Sequence, residues 1–380
     1  VISDVDEAVR STSARILVER FPDESMDTLE WVLKTDLSIS CIEVILESFQ
    51  ESRLRKVLET FFEDLICKLN IKNFNLKRYV IGFKQLFERR PLEQFSASEL
   101  MEMYLNYRIL TILETKFRLS ETYHHCLSKN GYLDELDLNG IQIRKISDID
   151  GLSKLTKLGS LELTQTGLTE ISGLENLKEL GSLNLSWNNI TRIKGLEDLT
   201  ELVDLDLSEN QITEISGLKN LVNLRALNLT NNKIRRISGI ETLGKLEYLY
   251  LGKNDISEIS GLNNNHNLIE VFLNSNQITE IKGLKNQIKL RDLDLRTNKI
   301  KEIKGLRNLR NLECLDLEEN QITKIKGIRK LKKILGIELY GNDISNEELA
   351  NFWKKLEKKK EKRSFKEFKS SRLKSAKKLI

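Results

Sequence analysis

From residue 133 onward, apolar and polar positions alternate in a block that recurs at a constant interval. Leu158, Leu180, Leu202, Leu224, Leu246, Leu268, Leu290, Leu312 and Ile334 each open a block of the form LxxLxLxxNxIxxIxGLxxLxx. A weaker unit, Leu133-Asp134-Glu135-Leu136-Asp137-Leu138, precedes the first of them at a slightly wider spacing, which makes ten units. In the block opening at Leu202, Leu205 and Leu207 stand at alternate positions, with Asp204 and Asp206 on the opposite side. Alternation with period two predicts a short strand, leucines inward and aspartates outward. One block cannot bury its leucines alone, so neighbours stack and their strands predict one parallel sheet. The later apolar positions Ile212, Ile215, Leu218 and Leu221 predict a wall that covers the inner side of the sheet. An asparagine recurs as each strand ends, from Asn188 through Asn342, where its amide can pair backbone groups the turn leaves over. The glycine row that includes Gly217 marks a backbone site needing positive φ or a close approach.

Residues 1–130 lack this block and show helical spacing instead. Helices are predicted near 4–21, 25–35, 38–49, 52–69, 74–90 and 97–118, with Pro22-Asp23 turning the chain after the first. After the last block, Ser345 and Glu348 form a capping box for a helix whose Leu349, Phe352, Trp353 and Leu356 should pack on the final repeat. The expected organisation is therefore a helical domain over 1–130, repeats over 131–345, a capping helix over 346–357 and a tail over 358–380. The helical domain should cover the open edge of the first strand.

The block resembles the leucine-rich repeat family in its 22-residue class, and is similar to the nuclear regulatory subunit of protein phosphatase 1 and to the repeat domains of bacterial internalins. The resemblance covers about residues 131–345. It implies an α/β solenoid, a horseshoe with one parallel concave sheet, preceded by an all-α domain. In the phosphatase-regulator subfamily acidic and aromatic side chains of the concave face grip the catalytic subunit, which makes a phosphatase-like catalytic subunit an implied partner. The cap motif that usually ends that subfamily is missing here. Asp6-Glu7-Ala8-Val9-Arg10, with Ala14 and Leu17, resembles the first helix of a HEAT-type repeat, and another kind of helical cap is the alternative. A helix starting so near Val1 suggests further repeats upstream.

Charge then separates the faces. The net charge is only +4, yet residues 351–380 hold 13 Lys/Arg against 3 Asp/Glu. Outward strand positions lie two, four, six and seven places after each opening leucine. They carry thirteen acidic residues, including Glu135, Asp137, Glu209, Glu318 and Glu319, against two basic ones, Lys253 and Arg296. Exposed aromatics are expected there too. The candidate partner-binding set is Glu162, Trp187, Asp204, Asp206, Tyr248, Tyr250, Glu270, Phe272, Asp292, Asp294, Asp316, Glu338 and Tyr340. Such a surface attracts a protein with a basic surface and repels nucleic acid.

The remaining chemistry is sparse. Four scattered cysteines form no CxxC pair, and His124 and His125 beside Cys126 supply at most half a metal site. No cofactor, metal or small-molecule substrate is expected, and no nucleophile–base pair or phosphate loop marks an enzyme. Scattered cysteines suit a reducing compartment, so the expected location is cytoplasmic. The functional expectation is a non-enzymatic scaffold or regulatory subunit, monomeric apart from its partner. The alternative is a tethering factor whose 358–380 tail contacts nucleic acid or anionic membrane, or docks on the acidic face.

Overall fold

The computed structural model describes residues 7–20, 26–36, 38–67, 74–119, 126–328 and 331–360. His124 and His125, the Pro22-Asp23 turn and the tail beyond 360 lie outside them, as do the side chains of Trp353 and Leu356. The chain divides into two compact units, Val1–Asn184 and Leu185–Ile380.

Among the described residues of the first unit, six α-helices precede the strands: α1 (Glu7–Arg20), α2 (Met26–Thr35), α3 (Ile39–Glu47), α4 (Glu51–Cys67), α5 (Phe74–Arg89) and α6 (Ala97–Phe117). Their starts follow local chemistry. Ser38 accepts from the Cys41 N–H at 3.1 Å, and Ser96 with Glu99 forms a reciprocal capping box. Leu54, Leu58, Phe62 and Leu65 put one buried face on α4. Phe62 meets Phe83 edge-on at 5.0 Å within a core that includes Phe95 and Tyr104.

Strand β1 (Cys126–Leu127) pairs antiparallel with β2 (Leu133–Asp137), followed in parallel by β3 (Ser160–Glu162) and β4 (Ser182–Asn184). The expected cover of the first edge is present. Asn106 of α6, almost fully buried, accepts from the Leu133 N–H at 2.8 Å, and β1 takes up the rest of that edge.

The second unit holds β5 (Asp204–Asp206), β6 (Ala226–Asn228), β7 (Tyr248–Tyr250), β8 (Glu270–Phe272), β9 (Asp292–Asp294), β10 (Cys314–Asp316) and β11 (Gly336–Glu338), then helix α7 (Asn346–Lys360). The strands run parallel in sequence order with no register slip. The α/β repeat solenoid preceded by helices is thus the fold observed.

Leu205, Leu207, Ile212, Ile215, Leu218 and Leu221 are all buried, as the pattern requires. Each turn asparagine closes its own strand end. The Asn254 Nδ2 donates to the carbonyls of Leu229, Leu251 and Gly252 at 2.9–3.2 Å, while its Oδ1 accepts from Ile234 N–H at 3.0 Å. Gly305 has φ +81, and a Cβ there would lie 2.0 Å from the Ile281 carbonyl oxygen, so both conformation and contact require glycine.

Two row positions depart from the pattern. Asn265 and Gln287 stand where Leu221 and Leu243 stand in earlier repeats, and both are fully buried. The predicted capping box at α7 is only half formed. Glu348 N–H donates to Ser345 Oγ at 3.3 Å, but the Glu348 carboxylate accepts from Ile325 N–H at 2.7 Å. That bond fastens the helix to the last full repeat in place of closing the box.

Candidate interaction face

Positions two and four after each opening leucine form two rows across the open face of the second unit's sheet. Tyr248, Glu270, Asp292 and Cys314 are neighbours in one row; Tyr250, Phe272, Asp294, Asp316 and Glu338 are neighbours in the other. Adjacent members sit one strand spacing apart, about 4.8 Å. Asp204 and Asp206 lie on β5, with Ala226 and Asn228 of β6 between them and the tyrosines. Glu162 is half-buried on β3, in the first unit.

The side chains are not uniformly outward. Tyr250 was expected to be exposed, but it is only 6% exposed. Phe272 meets it edge-on at 5.0 Å, and its hydroxyl donates to Glu270 Oε2 at 3.1 Å. Burial, then the nearby Glu270 carboxylate, pushes the Tyr250 phenol well above its ordinary value. Tyr248 and Phe272 are half-buried. The aromatic cluster is therefore partly a lateral core laid across the face. The exposed aromatics of the set are Trp187 (56%) and Tyr340 (80%).

The aspartates divide in the same way. Asp206 Oδ1 accepts from the N–H and hydroxyl of Ser208, and its Oδ2 from Asn228 Nδ2 at 2.9 Å. Asp294 and Asp316 accept from the backbone N–H groups of Arg296 and Glu318, both at 3.0 Å. An Asp or Asn at the fourth position after the opening leucine is thus the acceptor of an Asx turn as well as a charge. Asp292, Asp294 and Asp316 are buried, whereas Asp204 and Glu338 are exposed. Like charges crowd at the β10–β11 end. Burial, then the Asp316 and Glu338 carboxylates, raises the carboxyl pKa of Glu318 above the ordinary glutamate value.

The seventh position after the opening leucine takes left-handed backbone in every repeat from Trp187 to Glu319, with φ from 52 to 57. Trp187 N–H donates to Ser208 O at 3.0 Å, and the later residues repeat the bond. A non-glycine side chain there costs on the order of 1 kcal/mol. Trp187 bears that cost with more than half its surface in solvent.

Sequence reasoning missed the rim of this face. Arg225 pairs with Glu247 at 3.4 Å and Arg291 with Glu313 at 2.8 Å, each across one repeat. The signal was available, since opposite charges recur at the repeat interval just after the opening leucine. Among the described residues, no group of three or more His, Cys, Asp or Glu is placed to hold a metal ion. No helix among them is long and apolar enough to cross a membrane.

A family model described as leucine-rich repeats (two copies) matches residues 178–220, 200–242, 222–264, 244–286 and 288–330. No curated protein matches the chain at significant similarity. Among solved structures, the chain is similar to the internalin InlF of Listeria monocytogenes, with 28% identity, covering 56% of this chain and 75% of that one at a TM-score of 0.38. Internalin C2 of the same organism has 28% identity, covering 55% and 80% at 0.42. The TLR13–ssRNA13 complex has 23% identity, covering 56% and 34% at 0.50, a likeness of fold.

Proposed function

This chain belongs to the leucine-rich repeat family, and on that premise we propose that it is a non-enzymatic interaction scaffold whose open sheet face holds a protein with a basic surface. The observation that carries the reading is the crowding of carboxylates on neighbouring strands. Asp292, Asp294, Asp316 and Glu338 occupy three adjacent strands, with Glu318 just past the end of β10, where burial first and then the Asp316 and Glu338 carboxylates raise its carboxyl pKa. Solubility alone would be served by exposed charges of either sign. Here acidic side chains predominate, with Arg296 among them, and several are buried, an arrangement that costs stability in the isolated protein. Cationic side chains of a partner would relieve it and would be steered toward it at low salt.

Trp187 supports the same reading. It holds a large aromatic in left-handed backbone with more than half its surface in solvent, and interface hot spots favour tryptophan. The resemblance of the repeat block to that of the phosphatase regulators makes a phosphatase-like catalytic subunit one partner to assay.

The test is affinity capture from extract with the wild type beside an Asp294→Asn/Asp316→Asn/Glu338→Gln variant. Asparagine keeps the Asx-turn acceptor while removing the charge, so the fold is retained. A partner captured by the wild type, lost by the variant and released by salt supports the reading. Identical partners on both baits overturn it.

A further inference from the structure

The wall opposite the sheet carries a second charged surface, confined to one end of the repeats. Four wall positions recur in each block, held by Lys282, Lys285, Ile288 and Lys289 in the block opening at Leu268. In the blocks opening at Leu158, Leu180 and Leu202 these positions hold three basic and four acidic residues. In the blocks opening at Leu268, Leu290 and Leu312 they hold ten basic residues and no acidic one. The apolar frame is the same in both stretches apart from Gln287, so folding does not account for the change of sign. Lys285, Arg307, Arg310, Lys326 and Lys332 are exposed, and among the described residues none has a carboxylate within ion-pair distance. Among these cations stands Ile288, 57% exposed, with Lys285 and Lys289 close in sequence and Arg310 and Lys332 at its own position in the next two repeats.

We infer that this basic wall is a docking surface for an anionic lipid bilayer. The reading is independent of the sheet face, since it uses other residues on the opposite side of the repeats. An exposed isoleucine in a field of lysines and arginines has the make-up of an interfacial anchor, the cations meeting headgroups and the apolar side chain reaching past them. Nucleic acid fits less well. From Leu273 to Leu339 the chain has no Phe, Tyr or Trp on which bases could stack, and the wall presents turns where a duplex reader would present a helix or ribbon. With both faces occupied, the scaffold would hold its protein partner at a membrane surface.

Co-sedimentation of the full chain with vesicles tests this. Phosphatidylserine-containing vesicles are compared with pure phosphatidylcholine vesicles at low and high salt. The wild type should partition onto the anionic vesicles only, and lose them as salt rises. The Lys285→Gln/Arg307→Gln/Arg310→Gln variant should bind on the order of 100-fold more weakly, about fivefold per charge. Ile288→Ser should weaken binding several-fold, an effect a purely electrostatic contact would not show. Both variants alter exposed side chains and should keep wild-type circular dichroism and sheet-face partner capture. The proposal is overturned if the wild type ignores anionic vesicles. It also fails if binding survives the triple substitution but is lost when Lys366, Lys369, Lys374, Lys377 and Lys378 are changed to Gln, which would move the contact to the tail. A triple variant that loses only duplex DNA binding, or only self-association in sedimentation velocity, would likewise refute it.

Discussion

Replacing Asn254 by alanine should remove more stability than its size suggests. The side chain is buried, and all of its hydrogen-bonding capacity is directed at backbone. Alanine leaves the buried Ile234 N–H without its acceptor, a penalty of about 1–3 kcal/mol. The amide's bonds to the Leu229, Leu251 and Gly252 carbonyls vanish with it, and at about 0.5–1.5 kcal/mol each the two best add roughly 2 kcal/mol. The total is about 3–5 kcal/mol, a large share of the stability of an ordinary domain. Asn264 provides the comparison, because its Nδ2 also donates to a carbonyl of the preceding repeat, Glu241 O at 3.2 Å, but in solvent. Asn264→Ala should cost under about 0.5 kcal/mol. Guanidinium unfolding followed by circular dichroism reads both. An Asn254→Ala variant within about 1 kcal/mol of wild type would refute the idea that the asparagine row supports the spine.

Three further outcomes follow from particular residues. Trp187→Gly should leave stability within about 1 kcal/mol of wild type, relief of left-handed strain being offset by the freer unfolded chain, while weakening partner binding; thermal melts and affinity capture check the two effects, and a larger loss of stability would show that Trp187 serves the fold. Gln287 Oε1 is buried without a hydrogen-bond partner among the described residues, so Gln287→Leu should raise the denaturation midpoint, by about 1 kcal/mol in stability, and a lowered midpoint would contradict this. The folded protein binds a proton at Glu318 more readily than the unfolded chain, so this group's contribution favours folding at low pH and is lost as pH rises from the ordinary glutamate value through the raised one. The stability difference between wild type and Glu318→Gln should therefore change with pH across that window in thermal melts, and a constant difference would remove the proposed crowding.

Much of the fold is legible in the amino-acid order because its determinants are local or repeat at a fixed distance. The constant spacing of the blocks places every inward leucine, and the helix predicted over 74–90 is found at Phe74–Arg89. Capping chemistry and apolar spacing lie within a few residues of where they act. The side chains that the sequence misplaced are those whose surroundings come from the neighbouring repeat. Tyr250 points to the open face, as its position requires, yet Phe272 and Glu270 of the adjacent strand bury it. Asp294 and Asp316 read as surface charges, and their Asx-turn bonds appear only once the strand end curls. Glu348 reads as half of a capping box, but Ile325, in the preceding repeat, offers its carboxylate a better-placed N–H.

Carboxyl footprinting of the complex with a captured partner tests the central claim most directly. Exposed acids on the sheet face, Asp204 and Glu338, should lose reactivity when the partner binds, while Glu280 and Glu302 on the wall keep theirs. Protection of Glu280 and Glu302 with Asp204 and Glu338 still reactive would contradict the account.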